Sequence, residues 1–478
     1  MTRFLDLLRA ELPERAIVTD PDMIAPWLTD WRGRYRGRTA VMVEPATTAE
    51  VAAVVRAAAA TSTPLVPQGG NTGMVGGATP NEEGGAAIVS LRRLTRIRSV
   101  DADANIAVAE AGVVLQTLND AALERGRRFP LTLGARGSAT VGGLVSTNAG
   151  GTQVLRFGTM RGLVAGVEAV MADGSVHDGL AALPKDNRGY NLDQLLIGAE
   201  GTLGIVTAAA LRLVPAVAAR GVAWAGLRSP EAAMALLRYC QAHTNGIESF
   251  EILPEESLRA VLTHLPGTRA PLASEHPWHV LIEATAPDLE GEAPAALLER
   301  LLGGALEAEL AGDAVVAASE AQADAFWTIR DSISAAERAQ GPATQHDISV
   351  PVPTMPHFMV EAAAACEARF PGTHASGFGH LGDGNVHFHV RAPAGVAPER
   401  WYAEAAPEVT RFVHDLVTEA GGSISAEHGI GQMKRDELAR LLPPARLHAM
   451  RAIKAALDPL GILNPGKLVP LAPEPDRQ

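Results

Sequence analysis

The chain has 478 residues, 54 acidic against 41 basic, for a net charge of -13, and 47% of it is hydrophobic. A chain this long exceeds what one hydrophobic core serves, so two or three domains are expected, and its charge repels nucleic acid and anionic membrane surfaces. Only two cysteines occur, Cys240 and Cys366, far apart in sequence. That excludes a disulfide framework and any CxxC metal or redox site, and it fits a cytoplasmic location. No stretch of about 18 uncharged apolar residues occurs, and residues 1–20 mix charges through their apolar positions, so neither a membrane span nor a signal peptide is expected.

The one basic cluster, Arg32-Gly33-Arg34-Tyr35-Arg36-Gly37-Arg38, is short and runs straight into the apolar, strand-like Ala40-Val41-Met42-Val43, so a nucleic-acid partner is not expected. Val51 to Ala60 then predicts a helix, and Pro64 to Pro67, Ala87 to Leu91 and Ile106 to Ala109 predict short strands. The first 215 residues thus read as an α+β region. After Pro215-Ala216-Val217-Ala218-Ala219 longer amphipathic helices set in, at Ser229 to His243 and Ala293 to Ala311, and a second domain is expected from residue 219. It continues through Trp327 to Arg338, the strand-like Asp347 to Val352 and the helix Met355 to Phe370. Lys434 to Lys467 predicts two helices, ended by Asp458-Pro459 and Asn464-Pro465-Gly466. The boundaries expected are 1–218, 219–429, and a helical segment 430–478 that returns to the first domain.

Three small-residue loops stand out in the first domain. Pro67-Gln68-Gly69-Gly70-Asn71-Thr72-Gly73-Met74 runs on through Val75-Gly76-Gly77, five glycines in nine positions after a strand, which lets successive N–H groups converge on an anion. It matches neither the nicotinamide pattern GxGxxG nor the Walker pattern. A second stretch, Gly134 to Gly143 and then Ser146-Thr147-Asn148, offers close-approach backbone, hydroxyls and an amide. The third runs from Gly198 to Thr207. Together they suit a ligand longer than a mononucleotide. A literal GxGxxG at Gly377 to Gly382 is followed by a turn and a strand, with no helix N-terminus to face a phosphate, so it is no dinucleotide site.

The second domain carries His380-Leu381-Gly382-Asp383-Gly384-Asn385-Val386-His387-Phe388-His389, with Glu427-His428 further on. Histidine and carboxylate side chains bind borderline metals, and histidine is also the commonest base near neutral pH. The Gly382-Asp383-Gly384-Asn385 turn reverses the chain and can bring His380 beside His387. Asp383 is expected to stiffen that turn rather than ligate.

In combination and order, PQGGNTGMVGG, GARGSATVGGLVSTNAGG, GAEGTLGIVT, GHLGDGNVH, AEHGIG and DPLGILNPGK make a chain that resembles the FAD-linked dehydrogenases of D-2-hydroxy acids. These are vanillyl-alcohol-oxidase-type flavoproteins, and the D-2-hydroxyglutarate dehydrogenases are the most similar branch. The resemblance covers nearly the whole chain. It implies an α+β fold: a PCMH-type FAD-binding domain with its core at about 38–215, an α+β substrate domain with an antiparallel sheet, and the C-terminal helical segment. FAD would contact Pro67, Gln68, Gly69, Gly70, Asn71, Thr72, Gly73 and Met74 at the pyrophosphate. Gly134, Gly137, Ser138, Thr140, Gly143, Ser146, Thr147 and Asn148 would meet the isoalloxazine and ribityl region, and Gly201, Ile205 and Val206 the adenine side. Asn464 and Lys467 would return to the flavin. Asn71-Thr72 stands where covalent relatives carry a flavin-linked histidine, so non-covalent attachment is expected.

The resemblance further implies one divalent metal on His380, His387 and Glu427, with Zn2+ the first candidate and Mn2+, Fe2+ or Co2+ as alternatives. Two imidazoles and a carboxylate leave open positions for a hydroxy acid's hydroxyl and carboxylate oxygens. His428 is expected to take the hydroxyl proton, and Arg330 to hold the substrate carboxylate. Ser334, Gln345, Asn385 and His389 complete the expected substrate pocket. The expected reaction oxidises a D-2-hydroxy acid to the 2-oxo acid by hydride transfer to flavin N5, with electrons passing to an electron-transfer flavoprotein, a quinone or a cytochrome. The oligomeric state stays open, a homodimer included.

Two departures bear on the substrate. The hydroxyglutarate branch carries a lysine where this chain has Gln345, and an asparagine where it has His389. Losing a cation weakens the case for a second, distal carboxylate, with His346 or His389 as replacements. D-2-hydroxyglutarate is the first candidate, with D-lactate or glycolate as the alternative. A flavin-free metal hydrolase would leave the three small-residue loops without purpose, and a redox-inactive binding subunit would hold flavin that no hydroxy acid bleaches.

Overall fold

Apolar strands and alanine-rich helices alternate through the first 215 residues and build two larger sheets and a two-stranded pairing of Arg127–Arg128 with Val214–Pro215; the computed structural model describes residues 1–469. Contacts divide the chain into two units. One comprises Met1–Gly150, Gly158–Pro215 and Glu427–Gln478, the last described to residue 469; the other comprises Gly151–Phe157 and Ala216–Ala426.

In the first unit, strands β1 (Ile17–Val18), β2 (Met42–Val43), β3 (Leu65–Gln68) and β4 (Ala87–Ser90) form a small sheet in the order β1-β2-β4-β3. Helix α1 (Thr48–Thr61) crosses between β2 and β3. It starts where it does because the Thr47 side chain accepts the N–H of Glu50, while Glu50 accepts that of Ala46. A second, antiparallel sheet orders β5 (Ile97–Asp101), β6 (Ile106–Glu110), β7 (Val164–Val170), β8 (Val176–Asp178) and β9 (Ile205–Arg212) as β5-β6-β9-β7-β8. Helix α2 (Val141–Thr147) lies between β6 and β7 in sequence.

One buried carboxylate staples this second sheet. Glu168 on β7 accepts both Arg98 guanidinium nitrogens of β5 at 2.9 Å and the hydroxyls of Thr48 and Thr207 at 2.7 Å. Burial raises its pKa, but Arg98 and the two hydroxyls outweigh burial and hold it down at about 2. A depressed carboxylate stabilises the fold above its unfolded pKa and loses that contribution as pH falls through the folded one. A shift from 4.5 to about 2 corresponds to about 3 kcal/mol. Glu168→Gln should therefore lower unfolding stability by about that amount at pH 7 and by much less near pH 2, as read by denaturant titration at both pH values. Equal losses at both would mean that the charge does not matter.

The second unit is one seven-stranded antiparallel sheet with helices on both faces. In chain order its elements are β10 (Ala219–Leu227), α3 (Pro230–His243), β11 (Ile247–Pro254), α4 (Glu255–His264), β12 (Trp278–Ala286), α5 (Pro294–Glu307), β13 (Asp313–Val316), α6 (Glu320–Ala339), β14 (Ala343–Ser349), α7 (Met355–Arg369), β15 (His374–His380) and β16 (Asn385–Arg391). The strand order is β13-β10-β12-β11-β15-β16-β14. Helices α3, α5 and α7 pack a large apolar core on one face, while α4 and α6 cover the other around Trp224, Phe326 and Phe378. Even the buried Trp224 indole is satisfied, donating to His279 Nδ1 at 3.1 Å, with His279 Nε2 donating to Glu255 at 2.6 Å.

Two differences from the expected elements have simple causes. The strand expected over 347–352 runs instead over Ala343–Ser349, because Pro351 has no N–H to continue a ladder. Residues 151–157 join the second unit: Thr152 O accepts the Ser249 hydroxyl at 2.9 Å, and Gln153 donates to the fully buried Glu248 at 2.7 Å. Local sequence carries no sign of that long-range pairing.

After residue 426 the chain rejoins the first unit through α8 (Arg435–Leu441) and α9 (Pro444–Leu457). The last described stretch extends the small sheet at β3: Leu65 N donates to Ile462 O at 2.7 Å and Asn464 N to Leu65 O at 2.8 Å. Among the described residues no helix is long and apolar enough to cross a membrane.

Candidate active site

A cleft of about 610 Å3 opens in the first unit where the three small-residue loops converge. Residues Pro67 to Met74 form one wall, Gly134, Gly137, Ser138, Thr140, Gly143, Ser146 and Thr147 another, and Gly201 the third. The glycines are required by packing. A Cβ on Gly69 would stand 2.3 Å from Thr140 Oγ1, and one on Gly70 1.9 Å from Ser138 O, so these loops lie flush only without side chains. Asn71 takes a left-handed conformation (φ +54°) and donates to Thr29 O at 2.9 Å, which fixes the loop's bend. The Thr140 hydroxyl in the cleft wall is buried and has no hydrogen-bond partner among the described residues. A long ligand rich in phosphate and hydroxyl oxygens fits this wall: glycine backbone on one side and an unspent hydroxyl on the other.

Not every residue expected at the cofactor reaches the cleft. Ile205 and Val206 are buried in strand β9, Ile205 within the apolar core. Asn148 caps the C-terminus of α2 at φ +50° and turns its side chain to the N–H of Arg161 at 2.8 Å. Asn464 donates to Gly77 O at 2.9 Å and Glu200 O at 2.7 Å, so it braces the wall from behind. Lys467 is buried as well; burial first, then Arg435, draws its amine down to about 8, opposed by Glu200. Conversely, Trp31 and Glu200 line the cleft unannounced by the sequence reading. Trp31 sits at the tip of a bend whose N–H groups, from Arg32 and Tyr35, are capped by Asp30. The basic run thus edges a small-molecule cleft. Glu427 and His428 also line it, from the chain's return into this unit.

The second unit gathers the remaining polar residues on one sheet face. Strand alternation and register put Gln345 opposite His389, Asp347 opposite His387, and His380 opposite Asn385. The hairpin of β15 and β16 brings the rings of His380 and His387 to 5.5 Å between centroids. Asp383 accepts the N–H of Asn385 at 2.9 Å and so stiffens the turn. His380 Nδ1 donates to Glu251 at 2.6 Å, and Arg330 Nε donates to the other Glu251 oxygen at 2.7 Å. Burial raises the Glu251 pKa, but Arg330 and His380 outweigh it and keep the group ionised. This carboxylate sets the His380 tautomer and leaves Nε2 with its lone pair, which faces Arg330 Nη2 at 3.3 Å. A carboxylate behind a histidine is what metal-binding imidazoles need, so this donor set fits a divalent ion.

Three substrate positions differ from the simplest expectation. His389 is held by the buried carboxylate of Glu337 through Nδ1, and Ser257 donates to Glu337 at 2.8 Å, so the charged group beside the ring is an anion of the protein itself. His346 does not share the face of His387 and His389. It points to the opposite face, where Nδ1 donates to Phe388 O at 3.1 Å and Nε2 lies 3.3 Å from the Thr410 hydroxyl, because neighbouring strand residues alternate. Asn385 donates its amide N–H groups to Asp347 Oδ1 and Ile348 O, at 3.1 and 2.9 Å, and so braces two strands, while its buried Oδ1 has no hydrogen-bond partner among the described residues. Ser334 lies one turn beyond Arg330 on α6.

Two family models match the chain. Residues 39–179 match the family of FAD binding domains, and residues 217–468 the C-terminal domain of FAD linked oxidases. The mitochondrial D-2-hydroxyglutarate dehydrogenase of Bos taurus is 37% identical over 98% of this chain and 83% of its own. D-2-hydroxyglutarate dehydrogenase of Xanthomonas citri pv. viticola is 36% identical over 98% and 96%. A putative mitochondrial D-lactate dehydrogenase of Schizosaccharomyces pombe is 32% identical over 94% and 86%. Among solved structures, p-cresol methylhydroxylase with substrate bound superposes with a TM-score of 0.73 at 16% identity, covering 98% of this chain and 96% of that one. A 4-ethylphenol oxidase from Gulosibacter chungangensis gives 0.69 at 18%, over 98% and 97%. At such identities the likeness is one of fold.

Proposed function

The chain belongs to the FAD-linked dehydrogenases of D-2-hydroxy acids, and we propose that it oxidises D-2-hydroxyglutarate to the 2-oxo acid with help from a divalent metal. The observation that supports the metal-assisted reading is the Arg330–Glu251–His380 chain: one buried carboxylate orients both the guanidinium proposed to bind substrate and the imidazole proposed to bind the metal. FAD held by the three loops would supply the hydride acceptor, and a divalent ion held by His380 and His387 would supply polarisation of the substrate hydroxyl. Glu427 is the third ligand in this reading.

The protein's own groups divide the remaining work. Arg330, steered by Glu251, pairs its planar fork with the substrate carboxylate and fixes which face of C2 is presented. His428 takes the hydroxyl proton as the C2–H bond breaks, so the carbonyl forms without leaving charge on oxygen. The two cysteines are free, buried and pushed up to about 12, consistent with the proposed cytoplasmic, reducing location. A second reading, D-lactate or glycolate, is favoured by the pairing of His389 with Glu337 and by the uncharged Gln345 opposite it.

The test is anaerobic bleaching of the flavin band by D- and L-2-hydroxy acids, before and after exhaustive chelation. D-2-hydroxyglutarate should bleach fastest, its L-enantiomer not at all, and chelation should slow the rate by at least about a hundredfold. Faster bleaching by D-lactate moves the substrate to the second reading. Unchanged rates in metal-free protein remove the metal from the mechanism.

A further inference from the structure

Four hydrogen bonds converge on Glu200. Its N–H donates to Ser146 O at 2.8 Å, its carbonyl accepts from Asn464 at 2.7 Å, and its two carboxylate oxygens accept the N–H groups of Ile430 and Gly431, each at 2.7 Å. Ser146 belongs to the second small-residue loop, Asn464 to the returning C-terminal segment, and Ile430 and Gly431 to the loop that begins with Glu427 and His428. One residue thus ties together three separate stretches of the cleft's surroundings.

The arrangement is costly to maintain, which argues that the position is specified. Glu200 adopts a left-handed conformation at φ +51° although it is not glycine, and it is only 7% exposed. Burial raises its pKa, opposed by the two N–H groups and then by Lys434 and Lys467. Two N–H donors, one on each oxygen, match an ionised carboxylate. The loop it grips has no slack: a Cβ on Gly429 would stand 2.9 Å from Glu200 Oε1, and one on Gly431 2.2 Å from Val75 O. Gly429 and Gly431 hold left-handed conformations of their own, at φ +81° and +54°. An amide at position 200 would turn an NH2 group toward one of the two N–H donors and release half of the grip.

We propose that Glu200 is the positioning residue for proton transfer: by holding the N–H groups of Ile430 and Gly431 it fixes the loop that presents His428 to the substrate hydroxyl. This rests on the reading of His428 as the base. A base displaced by about an ångström loses rate without losing substrate affinity, which separates this role from binding.

The experiment uses flavin-loaded full-length enzyme and stopped-flow reduction by D-2-hydroxyglutarate without oxygen, for wild type, Glu200→Gln, His428→Asn and the double variant. Glu200→Gln should keep its flavin content, lower the limiting reduction rate about tenfold to a hundredfold, and change half-saturation by less than about twofold. The double variant should be no slower than His428→Asn alone, because Glu200 acts through that residue. Wild-type reduction by Glu200→Gln, or losses that multiply in the double variant, would overturn the proposal. Wild-type reduction by His428→Asn would instead overturn the reading beneath it. If Glu200→Gln does not retain flavin, Gly77→Ala takes its place, since its Cβ would lie 3.2 Å from Glu200 Oε2 and displace the same carboxylate slightly.

Discussion

Replacing His428 with asparagine should leave a yellow, flavin-loaded protein whose reduction by substrate is slower by about a hundredfold to ten-thousandfold, the usual contribution of a positioned base. Asparagine keeps a polar side chain of similar reach but takes up no proton near neutral pH. The flavin should remain, because the cleft that His428 helps to line is built mainly from the three small-residue loops. The hydroxyl proton would then leave to solvent or to a weaker base, and the barrier rises by that difference. Rapid mixing without oxygen, following the visible flavin band, reads the rate directly. Substrate half-saturation should change little, since the residue proposed to hold the carboxylate, Arg330, stands on a different element. A variant that reduces within about threefold of wild type would move the base elsewhere.

The second large effect concerns the cofactor. Gly70→Ala should yield protein with little or no flavin, because the added Cβ would stand 1.9 Å from Ser138 O and neither partner is a flexible side-chain tip. One loop must move away from the other, and overpacking of this kind costs about 1–3 kcal/mol, or roughly tenfold to a hundredfold in flavin affinity if expressed there. Gly85→Ala is the matching control, since no atom lies within 4 Å of its Cβ and it does not line the cleft. The ratio of absorbance in the flavin band to that of the protein measures the outcome. Normal loading of Gly70→Ala would show that the first two loops need not meet as closely as they do here.

Much of the site was legible because its signals are local. Runs of glycine announce backbone that must approach a ligand, and a histidine hairpin announces itself through its turn, so the cleft walls from Pro67 to Met74 and the pair His380 and His387 could be named in advance. The family match makes the FAD-linked chemistry firm for the same reason: its motifs are contiguous strings. Residues that work by reaching another segment left no such trace. Asn464 was expected at the flavin and is found bracing Glu200 and Gly77; Ile205 and Val206 were expected there and belong to a buried strand. Glu200 stood in the middle of a recognised motif, yet nothing in that motif said where its carboxylate points.

By itself, the sequence determined the cofactor class and the reaction family, because the motifs that carry the family resemblance are contiguous strings, and it named candidates for the chemically active side chains. Tertiary structure alone decided which carboxylate orients which partner: Glu251 for Arg330 and His380, Glu337 for His389, Glu200 for the loop after His428. The last of these joins residues 230 positions apart. Strand alternation likewise turned His346 away from the face that His389 shares with His387. A hydrogen bond depends on the positions of both partners, and for partners far apart in the chain those positions exist only once the sheets have formed and their register is set.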